Sequence, residues 1–148
     1  MEIPHAPQEQ LDWEKTCHRA ITSDAVWKLD AYRASLFMAH PSSEDCAALR
    51  RVRGLNEVCE QLSGASGSIS ANLAEGYGRG TRVDRLRFLG YSLGSVRECM
   101  TWYTAATPVL GRDVVNARFD LIMRVRPLVL GLIGTIRRSG DGRSPFQW

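Results

Sequence analysis

Leu86, Leu93 and Met100 recur every seven residues, and Leu89, Val96 and Tyr103 repeat the same interval three positions later. A double apolar row of this kind is an a/d seam, the stripe a helix presents when it packs lengthwise against other helices. Its limits are written in the flanking residues. Thr81-x-x-Asp84 resembles a capping box with Asp in place of Glu, while Pro108 and Gly111 are stop signals. The pattern therefore predicts a helix ending at about Thr107, and a seam of that length needs helical neighbours.

The rest of the chain supplies them. Thr22 or Ser23 offers an N-cap, with Asp24 in the first turn, and Ala25, Val26, Leu29, Tyr32, Leu36 and Phe37 follow at helical spacing to about Ala39. His40-Pro41 is expected to end that helix, because a residue before proline is pushed out of the helical region. Ser42 or Ser43 then caps a second helix that runs towards Glu75, with an interruption near Gly54. Its later half is rich in Gly64, Ala65, Ser66, Gly67, Ser68, Ser70 and Ala71, which have poor helix propensity but allow close approach of another helix. Gly90 and Gly94, on the seam helix, are the expected receiving face.

A last helix spans about Asp113 to Arg138, with Pro127 expected to kink it. Leu121, Val125, Leu128, Leu132 and Ile136 line one face, and Ile122, Val129, Leu130 and Ile133 widen it until the helix is apolar nearly all round. That breadth points to burial by other subunits. Residues 1–22 read as an N-terminal extension with a short helical stretch from Leu11 to Ala20, and residues 139–148 as a loose tail. No strand pattern competes. The expected fold is all-α, an antiparallel up-down four-helix bundle over residues 23–138.

The longest uncharged stretch, Gln61 to Ala74, is too short and too rich in Gly and Ser to cross a bilayer, and Met1 to Gln10 has no apolar signal core. A cytoplasmic location is the expectation. Cys17, Cys46, Cys59 and Cys99 form no C-x-x-C pair and read as small hydrophobes. Charge is distributed unevenly. Residues 1–49 hold 4 basic and 8 acidic side chains, whereas residues 50–148 hold 15 basic, every one arginine, and 8 acidic. Arginine's planar fork suits phosphate, so a nucleic-acid partner is compatible with this polarity, as is a genome that simply encodes Arg in place of Lys.

Catalytic patterns are missing from the sequence. A di-iron bundle needs Glu-x-x-His pairs, and His5, His18 and His40 have no partner at three or four residues. There is no serine elbow and no phosphate-binding lysine loop, and Gly76-Tyr77-Gly78-Arg79-Gly80 joins two helices where a nucleotide fingerprint would follow a strand. No enzyme activity, cofactor or metal is expected. Two constellations remain. Arg79, Arg82, Arg85 and Arg87 surround the start of the seam helix, whose amide groups and dipole favour an anion, so they are the candidate nucleic-acid-binding residues. They read equally as a solvated face, or as partners of Asp84 and of acids on a neighbouring subunit. Asn72, Glu75, Ser95 and Glu98 are candidates for a buried polar network that fixes helix register; an acid/base role for Glu75 and Glu98 lacks a nucleophile or cleft to support it.

Gln61-Leu62-x-x-Ala65-x-x-Ser68-Ile69-x-x-Asn72-Leu73-Ala74-Glu75-Gly76 closely resembles the signature of bacterial four-helix-bundle proteins first noticed as reading frames in intervening sequences of large-subunit ribosomal RNA genes. The similarity continues through Tyr77, Arg79, Asp84-Arg85, Phe88, Leu93-Gly94-Ser95-x-Arg97-Glu98 and Trp102-Tyr103, and upstream through Trp27 and Ala31-Tyr32-Arg33. It implies up-down four-helix subunits assembled as homopentameric rings. Relatives include the accessory variability protein of diversity-generating retroelements, which binds nucleic acid and works with a reverse transcriptase. The resemblance thus implies a non-enzymatic ring that binds RNA or DNA, or else an adaptor that docks a protein such as a reverse transcriptase. Ser63 and Gly64 stand where many members carry two basic residues, and Pro127 is a second departure.

Overall fold

The computed structural model describes residues 6–139. Every regular element among them is helical: α1 (Gln8–Glu14), α2 (Arg19–Thr22), a 3-10 turn (Ala25–Lys28), and the long helices α3 (Asp30–Arg50), α4 (Asn56–Tyr77), α5 (Arg82–Leu110) and α6 (Arg112–Arg138). The long helices pack in chain order, each against the next, and α3 closes against α6. Consecutive helices run in opposite directions. Ser42 meets Ser66 while Cys46 meets the Cys59 carbonyl, and Ser92 meets the Ile69 carbonyl while Gly76 lies against Phe88.

Several helix boundaries differ from the sequence expectation. Asp24 caps only the short 3-10 turn, its carboxylate accepting from the Val26 amide at 2.9 Å, and the first long helix begins at Asp30. That helix then passes straight through Pro41 to Arg50. The hydroxyls of Ser42 and Ser43 donate to the carbonyls of Ala39 and His40, and Ala34, Met38, Cys46 and Leu49 bury the same face on both sides of the proline. Packing outweighs the local cost of one missing donor. The break falls instead at Gly54, whose φ of 90° is open to glycine and strained for other residues. Likewise α5 absorbs Pro108 in its final turn and ends at Gly111, φ 84°, the single residue linking it to α6. The Thr81 cap forms as read: its Oγ1 accepts from the Asp84 amide at 3.1 Å and donates to the Asp84 carboxylate at 2.8 Å.

The core is continuous. Leu49, Leu62, Ile69, Leu73, Val96, Ile122, Val125 and Val129 are fully enclosed, each side chain contributing about 1.5–3 kcal/mol of hydrophobic stabilisation. Of the two seam rows, Leu89, Val96 and Tyr103 face the centre, and Leu86 and Met100 flank it. The broad stripe of α6 is absorbed within the chain. Leu128, Val129, Ile133 and Ile136 are buried, Leu121 and Leu132 pack on the core, and Leu130 is left exposed. The helix lies against both α3 and α5, so its breadth does not require a second subunit.

The expected Gly–Gly approach of α4 and α5 does not occur. A Cβ placed on Gly64, Gly67, Gly90 or Gly94 meets no atom within 4 Å. Of the glycines in α4 and α5, Gly76 is the one closely approached by the other helix: a Cβ there lies 3.0 Å from that of Phe88. Before α3, the helical stretch forms as α1 and α2 with a break between them, and Trp13 of α1 packs its ring 5.6 Å from that of Phe37. Cys46, Cys59 and Cys99 are buried free thiols; burial pushes Cys99 up to about 12, and burial together with neighbouring Cys59 pushes Cys46 up to about 11. No helix among the described residues is long and apolar enough to cross a membrane. Except for Ser139, the expected tail lies outside the described residues, as does His5.

Candidate nucleic-acid interface

The four candidate arginines meet at the corner where α4 turns into α5, and each has a partner within the chain. Arg79 pairs with Glu75 one turn back on α4 and sets its guanidinium 4.8 Å from the centre of the Phe88 ring. Arg87 pairs with Asp84 at 2.8 Å and approaches the same ring at 5.6 Å. Half-buried Phe88 is thus flanked by two cations, each contributing about 0.5–1 kcal/mol. Arg82 reaches across to the end of α6, donating to the carbonyls of Ile136 at 3.1 Å and Arg137 at 2.7 Å. Those carbonyls are among the acceptors a helix end leaves without partners, so Arg82 is a side-chain cap on α6. Arg85 is buried, 7% exposed, and its Nε donates to the Arg79 carbonyl at 2.6 Å. Each of the four guanidinium groups at the corner thus already has a partner within the chain.

The second constellation separates. Glu75 and Glu98 are both exposed, and Asn72 donates to the Ser68 carbonyl of its own helix at 2.8 Å. Ser95 alone of the four is buried. Register between helices is carried instead by serine hydroxyls. Ser92 donates to the Ile69 carbonyl at 3.0 Å, joining α5 to α4, and Ser42 meets Ser66 at 3.1 Å, joining α3 to α4. Such hydroxyls are indistinguishable in sequence from their exposed neighbours, because a serine gives no hydropathy signal of its own.

A stronger polar centre was equally hidden. Asp45 of α3, 5% exposed, accepts from the Tyr103 hydroxyl of α5 at 2.8 Å and from the Arg118 guanidinium of α6 at 2.7 and 3.1 Å. Three helices are joined at one carboxylate. The hydrogen bond from Arg118 holds that guanidinium's pKa above its ordinary value, and burial, with Asp45 beside it, raises that of the Tyr103 phenol. In sequence no local pattern marks Asp45, and Tyr103 reads as one more seam residue.

Other arginines are unengaged. Arg50, Arg51 and Arg53, in the connection from α3 to α4, are exposed, and no ion pair or hydrogen bond ties their side chains to another described residue. Arg112 at the start of α6 is exposed as well. Among the described residues no group of three His, Cys, Asp or Glu side chains is placed to hold a metal ion.

Residues 41–109 match the family model described as 23S rRNA-intervening sequence protein, the family whose signature the sequence resembles. The match covers the second half of α3, all of α4 and nearly all of α5; α6 lies beyond it. Searches of curated proteins and of solved structures give no match.

Proposed function

We propose, from the match of residues 41–109 to the 23S rRNA-intervening sequence protein family model, that the protein is a non-enzymatic homo-oligomer that binds RNA or DNA through phosphate contacts from arginine side chains. The observation that carries this reading is the charge division. The 15 basic residues after position 49 are all arginine and face only 8 acids. A surplus of arginine attracts polyanions at long range and offers bidentate phosphate contacts at short range.

In this reading the four long helices form an antiparallel four-helix bundle, and the working assembly is a ring of such bundles, a pentamer. Gly64, Gly67, Gly90 and Gly94 support an assembly. Each sits inside a long helix with open space where a Cβ would be, and glycine there costs about 1 kcal/mol relative to alanine. Backbone left bare in this way suits a helix of another copy lying close against it. Glu75 is engaged with Arg79 and Glu98 is exposed on the outside of α5, an arrangement that supports a non-enzymatic role.

A mobility-shift titration against single-stranded RNA and duplex DNA over a salt series tests the binding reading. Affinity that falls steeply with salt supports it. No binding at low salt, with capture of a protein partner from nuclease-treated lysate, favours an adaptor. Light scattering on the purified protein tests the ring: a monomer at micromolar concentration rules it out.

A further inference from the structure

Helix directions gather a second set of arginines at the opposite end of the molecule from the α4–α5 corner. Asp45 binds Arg118, so late α3 lies beside early α6. Arg50 is five residues beyond Asp45, about 7.5 Å along the axis, and Arg112 is six residues before Arg118, about 9 Å in the same direction. Arg50, Arg51, Arg53 and Arg112 therefore stand at one pole, just above the layer where Asp45, Tyr103 and Arg118 bolt three helices together.

The connection that carries the first three is built firmly. The amides of Arg51 and Val52 donate back to the carbonyls of Ala48 and Leu49 at 3.3 and 3.0 Å, and Leu55 N–H donates to the Val52 carbonyl at 3.2 Å. Leu49 is fully buried on one side and Leu55 packs on the core at the other. Gly54 supplies the left-handed residue that closes the turn. Exposed acids nearby are Glu57 and Asp113, in the first turns of α4 and α6, where they suit the positive dipole ends of their own helices. Neither pairs with the four arginines.

We infer that this pole, with Arg50, Arg51, Arg53 and Arg112, is the surface that contacts nucleic-acid phosphates. The inference rests on the nucleic-acid reading above and places its contact. A guanidinium already paired with a carboxylate, as in Arg79 and Arg87, has its charge partly neutralised and fewer donors to offer a phosphate, whereas an unpaired guanidinium offers all of them. Recognition here is of the backbone, since the segments that carry these arginines, residues 49–55 and 110–113, contain no aromatic residue for base stacking.

The test compares the wild-type protein with three variants: Arg50→Ala/Arg51→Ala/Arg53→Ala, the same three positions changed to Lys, and Arg79→Ala/Arg87→Ala. The probe is a labelled single-stranded RNA of about 30 nucleotides in a sodium chloride series, where each lost phosphate contact lowers the log–log salt slope by about 0.7. The triple Ala variant is expected to lose about 2 units of slope and about tenfold or more in affinity at low salt. The Lys variant is expected to keep most of the slope, and the corner variant to bind within about twofold of wild type. Circular dichroism of each variant accompanies the titration, and if the triple Ala variant is not folded, Arg53→Ala alone is expected to lose about 0.7 of slope. A wild-type slope retained by the folded triple or single Ala variant, or lost by the corner variant, overturns the inference while leaving nucleic-acid binding standing. Wild-type protein that does not bind the RNA at low salt overturns both.

Discussion

The α4–α5 corner and the α3–α4 connection are both dense in arginine, yet they spend it in opposite ways. At the corner, Arg79, Arg82, Arg85 and Arg87 hold a carboxylate, a helix end, a turn carbonyl and an aromatic ring. At the end of α3 and in the connection, Arg50, Arg51 and Arg53 are exposed, with no hydrogen bond or ion pair from their side chains to another described residue. Charge density in a sequence does not reveal which guanidinium groups are available. The signature stretch itself, from Glu75 and Gly76 to Arg85 and Phe88, is chiefly the architecture of the corner.

The comparison has an extreme member in Arg118, and the largest effect is expected there. Asp45→Ala leaves the half-buried Arg118 charge and the buried Tyr103 hydroxyl without their partner. It is expected to cost about 3 kcal/mol in urea unfolding. At the corner, Gly76→Val forces side-chain atoms into Phe88, at a cost of about 1–3 kcal/mol by the same measurement. Arg82→Ala releases the end of α6 and is expected to cost about 1 kcal/mol, with faster amide exchange confined to that helix's last turn. The smallest change belongs to the triple Ala variant of the connection, whose unfolding midpoint should stay within about 0.5 kcal/mol of wild type. A destabilisation there as large as at Gly76 would erase the distinction between the two regions.

How far the sequence revealed this depended on whether a feature had a period. The seam of α5, the broad stripe of α6 and the Thr81 cap were legible, since apolar spacing and capping chemistry are local signals. Pro41 misled. Its local preference against helix is real, but it lost to tertiary packing by Met38, Cys46 and Leu49. The glycines of α4 and α5 misled in the other direction, because small residues signal a possible approach without saying which helix makes it. Asp45 was unreadable: its partners lie 58 and 73 residues away, and no local pattern announces such a contact. Of the candidate site, the position of the arginines was legible and their employment was not.

The division of labour among arginines is tested most directly by recording the side-chain Nε–Hε resonances of the protein while an RNA oligonucleotide is added. The resonances of Arg50, Arg51, Arg53 and Arg112 should shift or broaden, while those of Arg82, Arg85 and Arg118 hold their positions. Shifts concentrated at Arg79, Arg82, Arg85 and Arg87, with the α3–α4 connection silent, would contradict it.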